Sequence, residues 1–431
     1  MDKYFEFYKN KTNLKTEIIA GITTFLATMY IIVVNPAIIK ATGMPFSGVL
    51  TATVIVSAFS SIMMGIYARN PIVLAPGMGL NAFFTYTVVL GMGVKWEIAL
   101  GAVFWSGIVF LVLSIFNIRT LIVKAIPKQI RYAVSAGIGL FITLIGFINA
   151  GFIVDNPATL VGFGGLNAVT ITFVVGLFIT GILVVKRVKG ALIAGIIFTT
   201  LIAIPIGRFY GDSTLVVWEG FISSPDFSLL FAMDLVNSLS LAIVPIIFAF
   251  LFTDMFDSLS TFVGVAEAAN LVDKDGEPLH IKESLIVDSI STTISGLFGT
   301  SSGTSYIESA SGIEEGGRTG MTAVVAGLLF LPFMFFSPLL SVIPSIATAP
   351  ALVLVGVFMM KPVTKINWTE FDDAIPAFLA MILIPVTYSI TQGIVWGFLS
   401  WTVIKIATGK TNEITPMLII IDILAILALI V

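Results

Sequence analysis

From Thr16 to the C-terminus, apolar runs of about twenty residues follow one another with short polar breaks. Each is long enough to cross a hydrocarbon core of about 30 Å as a helix. In lipid every backbone N–H and C=O must be satisfied inside the protein, so such runs read as helical spans and the chain as an all-α polytopic membrane protein. Composition agrees. Charged residues make up 11% of 431 positions, against about 25% in an ordinary soluble chain. The net charge of −3 comes with no basic arm, which argues against a nucleic-acid partner and leaves membrane lipid as the surroundings. With no cysteine, disulfides and thiolate metal sites are excluded. The single histidine, His280, sits in the polar stretch LVDKDGEPLHIKES and reads as a solvated loop residue. The start, MDKYFEFYKNKTNLKTE, is too polar and aromatic for a cleavable signal peptide, and its aromatic residues suit a short interfacial helix.

Hydropathy places spans near 17–39, 47–67, 72–90, 97–116, 129–149, 167–186 and 189–207. A second set follows near 235–264, 283–298, 303–314, 320–337, 345–360, 373–388 and 390–407. Lys and Arg placement tests the count of fourteen. With the N-terminus cytoplasmic, 19 of the 22 basic residues fall inside, and only Lys40, Lys95 and Arg208 fall outside. The acidic outer loop 208–234, with Asp212, Glu219, Asp226 and Asp234, is the counterpart of that bias. The last run, 416–431, is short for a span and contains Asp422. It is read either as an interfacial helix or as a fifteenth crossing.

Seven spans per half is an odd number, so two such halves face opposite ways, the inverted-repeat plan of many secondary transporters. Faint echoes agree. FLAT at 25–28 recurs as FLFT at 250–253, and Asn81 lies 53 residues beyond Thr28 while Glu308 lies 55 beyond Thr253. Both residues belong to interrupted spans. The third reads NPIVLAPGMGLNAFFTY (70–86), broken at Pro76, Gly77 and Gly79. The tenth reads GTSYIESASG (303–312), with Ser305 and Glu308 after Gly303. Backbone that leaves the helix at membrane depth is tolerated where it lines a cavity or is buried in protein. Each interruption is therefore expected to hold a short extended stretch leading into a half-helix, whose free N–H groups point toward the midplane. Glycines that simply let helices pack closely are the structural alternative.

An acid at that depth is costly and usually functional. The eighth span adds two, Asp254 and Asp257, three residues apart in PIIFAFLFTDMFDSLSTFVG (245–264), with Ser258 and Thr261 beside them. Burial and mutual repulsion disfavour the doubly charged pair, which suits reversible proton binding; a neutral structural pair is the alternative. Asn35-Pro36 is expected to kink the first span, with Thr28 and Tyr30 upstream available to a cavity. Arg318, Glu314 and Glu315 read as a solvated cluster or gate pair at the cytoplasmic end of the tenth span.

The charge of the site narrows its ligand. Helix N-termini alone attract anions. Glu308 among them repels anions and instead wants a flat ligand with adjacent N–H donors, held in a two-pronged pair. Purine and pyrimidine edges offer that pattern, and Phe83 or Phe84 is placed to stack on such a ring. No phosphate-binding loop is present.

Four ordered motifs carry a resemblance along nearly the whole chain: TEIIAGITTFLATMYIIVVNPAII (16–39), LAPGMGLNAFF (74–84), FTDMFDS (252–258) and TSYIESASGIEEGGRTG (304–320). Together they resemble the AzgA-like branch of the nucleobase–cation symporter-2 family. The resemblance implies a plasma-membrane purine permease for adenine, guanine or hypoxanthine, driven by H⁺ symport, with Na⁺ left open as coupling ion and no further cofactor. It implies a core domain of residues 1–126 and 227–340 and a gate domain of residues 127–226 and 341–431, and is compatible with a homodimer through the gate. It also implies that Glu308 and Asp254 contact the base, that Asn81 belongs to the site, and that Asp257 supports transport. Ser305 joins the expected substrate contacts, and the coupled proton is assigned to Asp257 or Asp254.

The uracil and xanthine branches typically carry a Glu, and often a His, in the eighth span, where this chain has two Asp and no His. An anion transporter or channel on the same fold is expected to lack an acid between the half-helices. A membrane-embedded enzyme would need a nucleophile–base or metal constellation, and with no Cys and one loop His only Asp/Glu chemistry is left to it.

Overall fold

Helices occupy the places that hydropathy assigns to spans. The computed structural model describes residues 2–116, 127–209, 220–269, 271 and 279–430. Spans 1 to 7 run Leu14–Thr28 with Ile31–Ile39, Phe46–Met63, Met78–Gly91, Trp96–Ile115, Lys128–Asn149, Ala168–Val185 and Ala191–Phe209. Spans 8 and 9 run Val244–Ala269 and Ile281–Phe298, and the tenth is the short helical piece 307–314. Gly320–Phe330, Ser345–Met359, Phe371–Val386 and Ile390–Ala407 complete the fourteen. Of the charged positions used for topology, Arg119, Lys124, Asp212, Glu219 and Lys274 lie outside the described residues.

The interruptions in spans 3 and 10 hold the expected extended stretches. Strand β1 (Leu74–Pro76) pairs antiparallel with Gly303–Ser305, in the register Leu74↔Ser305 and Pro76↔Gly303. Proline and the small hydroxylated residues on either side leave donors and acceptors that no helix uses, and the ladder satisfies them. The two half-helices thus leave one small sheet in opposite directions, as an inverted 7+7 repeat requires. Spans 1–4 and 8–11 pack largely on one another, the fourth on the ninth and the eleventh on the first and second. Spans 5–7 and 12–14 form a second group, the fifth lying against the twelfth and thirteenth.

Three local features differ from the sequence reading. The eighth span begins at Val244 rather than near 235, because Asp234 accepts from the backbone N–H of Val236 (3.2 Å) and Asn237 (3.0 Å) and turns the chain first. The first span breaks at Met29–Tyr30, before Asn35-Pro36, where the Thr28 hydroxyl donates back to Thr24 O at 2.9 Å. Between spans 5 and 6 an unexpected hairpin pairs β2 (Ile153–Asn156) with β3 (Leu160–Phe163), closed by Ala158 N–H donating to Asn156 Oδ1 at 2.9 Å. His280 is exposed, as expected. The C-terminal run forms a helix, Pro416–Ile430, packed on the fourteenth and eighth spans. Its 15 residues rise about 22 Å, short of a full crossing. Thr402 donates to Asp422 Oδ2 at 2.6 Å.

Candidate functional site

The β1 pairing fixes the geometry from which the site grows. Besides the ladder, Gly77 N–H donates to Ser302 O and Tyr306 N–H to Val73 O, both at 2.9 Å, while Tyr306 OH donates to Pro76 O at 2.5 Å. Gly303 lets the ninth span approach closely, since an added Cβ would lie 2.1 Å from Ser291 Oγ. Gly79 likewise admits the fifth span, whose Ile138 Cγ2 would be 2.4 Å from an added Cβ. The half-helices start at Met78 and Ile307.

Between them and the twelfth span lies a cavity of about 60 Å³. One wall is Tyr30, Met78, Gly79, Asp257, Thr261 and Thr304 to Glu308; the other is Val355, Phe358 and Met359. Glu308 presents its carboxylate there. Tyr30 OH donates to Glu308 Oε1 at 2.8 Å. Asp257 faces the same space, with the Thr304 hydroxyl at a long 3.5 Å from Oδ2. Thr304 and Ser258 share a hydrogen bond of 2.8 Å, and Ser305 Oγ donates to Ser258 O at 3.3 Å. Among the described residues no Lys, Arg or His lines the cavity. Two carboxylates, several hydroxyls and aromatic faces make a site rich in acceptors and closed to anions.

The remaining expected site residues lie one layer behind. Asp254 is fully buried, one turn before Asp257, and accepts from the Thr292 hydroxyl, which also lies 2.9 Å from Gly303 O. Asp288 of the ninth span, absent from the sequence reading, is within electrostatic reach of Asp254. Asn81 is buried and donates to Asn35 Oδ1 at 3.0 Å; Asn35 in turn donates to the Thr53 and Thr300 hydroxyls, each at 2.8 Å. Phe83 packs edge-on against Phe250 at 4.8 Å and does not line the cavity. The aromatic faces that do are those of Tyr30, Tyr306 and Phe358.

The tenth-span helix is also tied down at its far end. Arg318 Nη1 donates to Ile313 O (2.6 Å) and Gly317 O (2.7 Å), capping the helix rather than forming a solvated cluster. Glu315 pairs with Lys189 at 2.8 Å, between the connections of spans 10–11 and 6–7. Glu17, missed in the sequence, is fully buried and accepts from Arg318 N–H (2.9 Å) and the Thr322 hydroxyl (2.6 Å).

A sequence profile described as "Permease family" matches residues 15–396. The chain belongs to that family. The family and its relatives are permeases rather than enzymes, in line with the nucleobase–cation symporter-2 resemblance. The chain is 42% identical to "Adenine permease AdeP" of Escherichia coli over 433 residues, covering 100% of this chain and 96% of the relative. It is 40% identical to "Guanine/hypoxanthine permease PbuO" of Bacillus subtilis, covering 97% and 98%. "Putative permease MJ0326" of Methanocaldococcus jannaschii is 45% identical, with 96% and 94% covered. Among solved structures, the transmembrane domain of the cyanobacterial bicarbonate transporter BicA superposes with a TM-score of 0.64 at 16% identity, over 89% of this chain and 97% of that one. SLC26A9 superposes equally well, at 11% identity over 90% and 66%. At such identities these two speak for the inverted-repeat fold alone.

Proposed function

We propose that this permease imports purine nucleobases across the plasma membrane by proton symport through alternating access. The observation that carries the reading is the pairing of Glu308 and Asp257 as acceptors in one cavity that no Lys, Arg or His among the described residues lines. An N–H edge of a flat base satisfies them, and an anion does not. The names of the full-length relatives, adenine and guanine/hypoxanthine permeases, favour purines over uracil or xanthine.

In this reading Glu308 grips the base, Ser305 and the neighbouring aromatic faces bound it, and Asp257 carries the coupled proton with Asp254 behind it. Asn81 serves from the second layer by holding the third-span half-helix to Asn35. Residues 1–126 and 227–340 act as the core and residues 127–226 and 341–431 as the gate. The gate supplies the Val355, Phe358 and Met359 wall. In alternating access that wall withdraws to admit the base. The distribution of Lys and Arg supports a cytoplasmic N-terminus.

Thermal unfolding of the purified protein in detergent tests the substrate class. Adenine, guanine or hypoxanthine is expected to raise the melting temperature by mass action, while uracil and bicarbonate leave it unchanged. Stabilisation by bicarbonate and not by any purine contradicts the reading.

A further inference from the structure

The strand Gly303–Ser305 is the backbone from which Tyr306 and Glu308 follow into the cavity. Antiparallel pairs exchange hydrogen bonds at alternate positions. Gly77 bonds to Ser302 and Tyr306 to Val73, so the pair Pro76↔Gly303 falls at a non-bonded position and the Gly303 carbonyl points away from the ladder. Its hydrogen comes from the ninth span, where Thr292 Oγ1 lies 2.9 Å from Gly303 O. The same hydroxyl also meets Asp254 Oδ2. A threonine hydroxyl carries one hydrogen, while an ionised carboxylate and a carbonyl are acceptors only. With Asp254 ionised, the two compete for that hydrogen. A proton on Asp254 ends the competition: the acid donates to Thr292, and Thr292 donates to Gly303 O. The surroundings favour the neutral acid. Asp254 and Thr292 are both buried, and the charged groups acting on Asp254 are two further acids, Asp288 of the ninth span and Asp257 one turn along its own helix.

We infer that Thr292 is a positioning residue that reports the protonation of Asp254 to the tenth span: it holds Gly303 O, and with it the strand that aims Glu308, only while Asp254 carries a proton. The inference rests on the proposal that Glu308 holds the base. This proton is distinct from the coupled one placed on Asp257.

Two measurements on the purified protein in detergent test it. Infrared spectroscopy needs no base. Wild type at neutral pH is expected to show the carbonyl stretch of a protonated carboxyl group that Asp254→Asn lacks, retained by Thr292→Ser and moved by Thr292→Val. If Asp254→Asn removes no such band, or Thr292→Val leaves it unmoved, the inference is overturned; where Asp254→Asn does not fold, the two Thr292 variants decide. The second measurement is binding of adenine, guanine and hypoxanthine as a function of pH. Wild type is expected to bind about tenfold tighter than Thr292→Val at low pH, the worth of about one hydrogen bond. That ratio should fall toward one as pH rises, because Asp254 then ionises and draws the hydrogen of Thr292 away from Gly303 O. Asp257 and Glu308 are present in both proteins and cancel in the ratio. Thr292→Ser, which keeps the hydroxyl, should stay within about threefold of wild type at every pH. A ratio that is constant across pH marks a packing role and overturns the inference. If wild type binds no purine at any pH, the reading of Glu308 as base ligand fails, and the infrared spectra still decide the bond between Asp254 and Thr292.

Discussion

The third and tenth spans are built alike and used differently. Each runs from a short strand into a half-helix, and their strands are partners in one antiparallel ladder. Yet the third-span helix continues to Gly91 and buries its polar residue, Asn81, in a neutral network with Asn35, Thr53 and Thr300. The tenth-span helix stops at Glu314 and turns its polar residue, Glu308, into the cavity. An inverted repeat supplies the backbone twice. Side chains then set the copies apart: one buries a neutral amide and the other turns an acid into the cavity, the division expected of a support and a binding half. The uncharged copy lets the half-helices approach without adding another carboxylate to a cavity that already holds two.

That contrast is open to direct attack. The largest effect is expected from Glu308→Gln, which keeps an oxygen for Tyr30 to donate to but removes the charge facing the cavity. Purine uptake into proteoliposomes should fall by about a hundredfold or more, with insertion and melting temperature preserved. Asp257→Asn should separate binding from coupling: affinity stays within about tenfold of wild type, while accumulation driven by a pH gradient disappears. On the supporting side, Asn81→Ala leaves Asn35 Oδ1 without its donor and should lower stability by about 1–3 kcal/mol, read from unfolding in detergent. The same variant should bind purines within about threefold of wild type, the value of an indirect role. Loss of binding with unchanged stability would reverse the assignment of the two halves. The smallest effect belongs to Lys189→Ala at the exit of the tenth-span helix. Its 2.8 Å pair with Glu315 is half-exposed, so stability should change by less than about 0.5 kcal/mol.

Much of this was legible in sequence, for identifiable reasons. Span length and the Lys and Arg bias are properties of local segments, and the two Gly/Pro interruptions announce themselves where they occur. Pairings between distant segments do not. Tyr30 and Glu308 are separated by 278 positions, and only the fold shows that the hydroxyl of one donates to the carboxylate of the other. Asp254 and Asp257 share a helical face in projection, yet just one of them reaches the cavity, because that depends on where the β1 ladder and Thr292 sit. Phe83 follows the motif in sequence and turns to Phe250, whereas Phe358 lines the cavity from an ordinary apolar run. Asp288 was within reach of sequence reasoning: unlike Glu283 at the boundary it lies well inside the ninth apolar run, and the reasoning for Glu308 holds for it equally. Glu17 was not, since an acid at the entrance to the first span looks solvated until Arg318 and Thr322 are seen to close over it.

The central claim is that a purine and a proton share the cavity carried by Glu308 and Asp257. Uptake of radiolabelled adenine, guanine, hypoxanthine and uracil into proteoliposomes, with and without an imposed inward proton gradient, tests it most directly. The account predicts that the gradient concentrates at least one purine in the wild type, that Asp257→Asn abolishes that concentration, and that uracil is excluded. Equal, gradient-independent uptake of all four bases would contradict it.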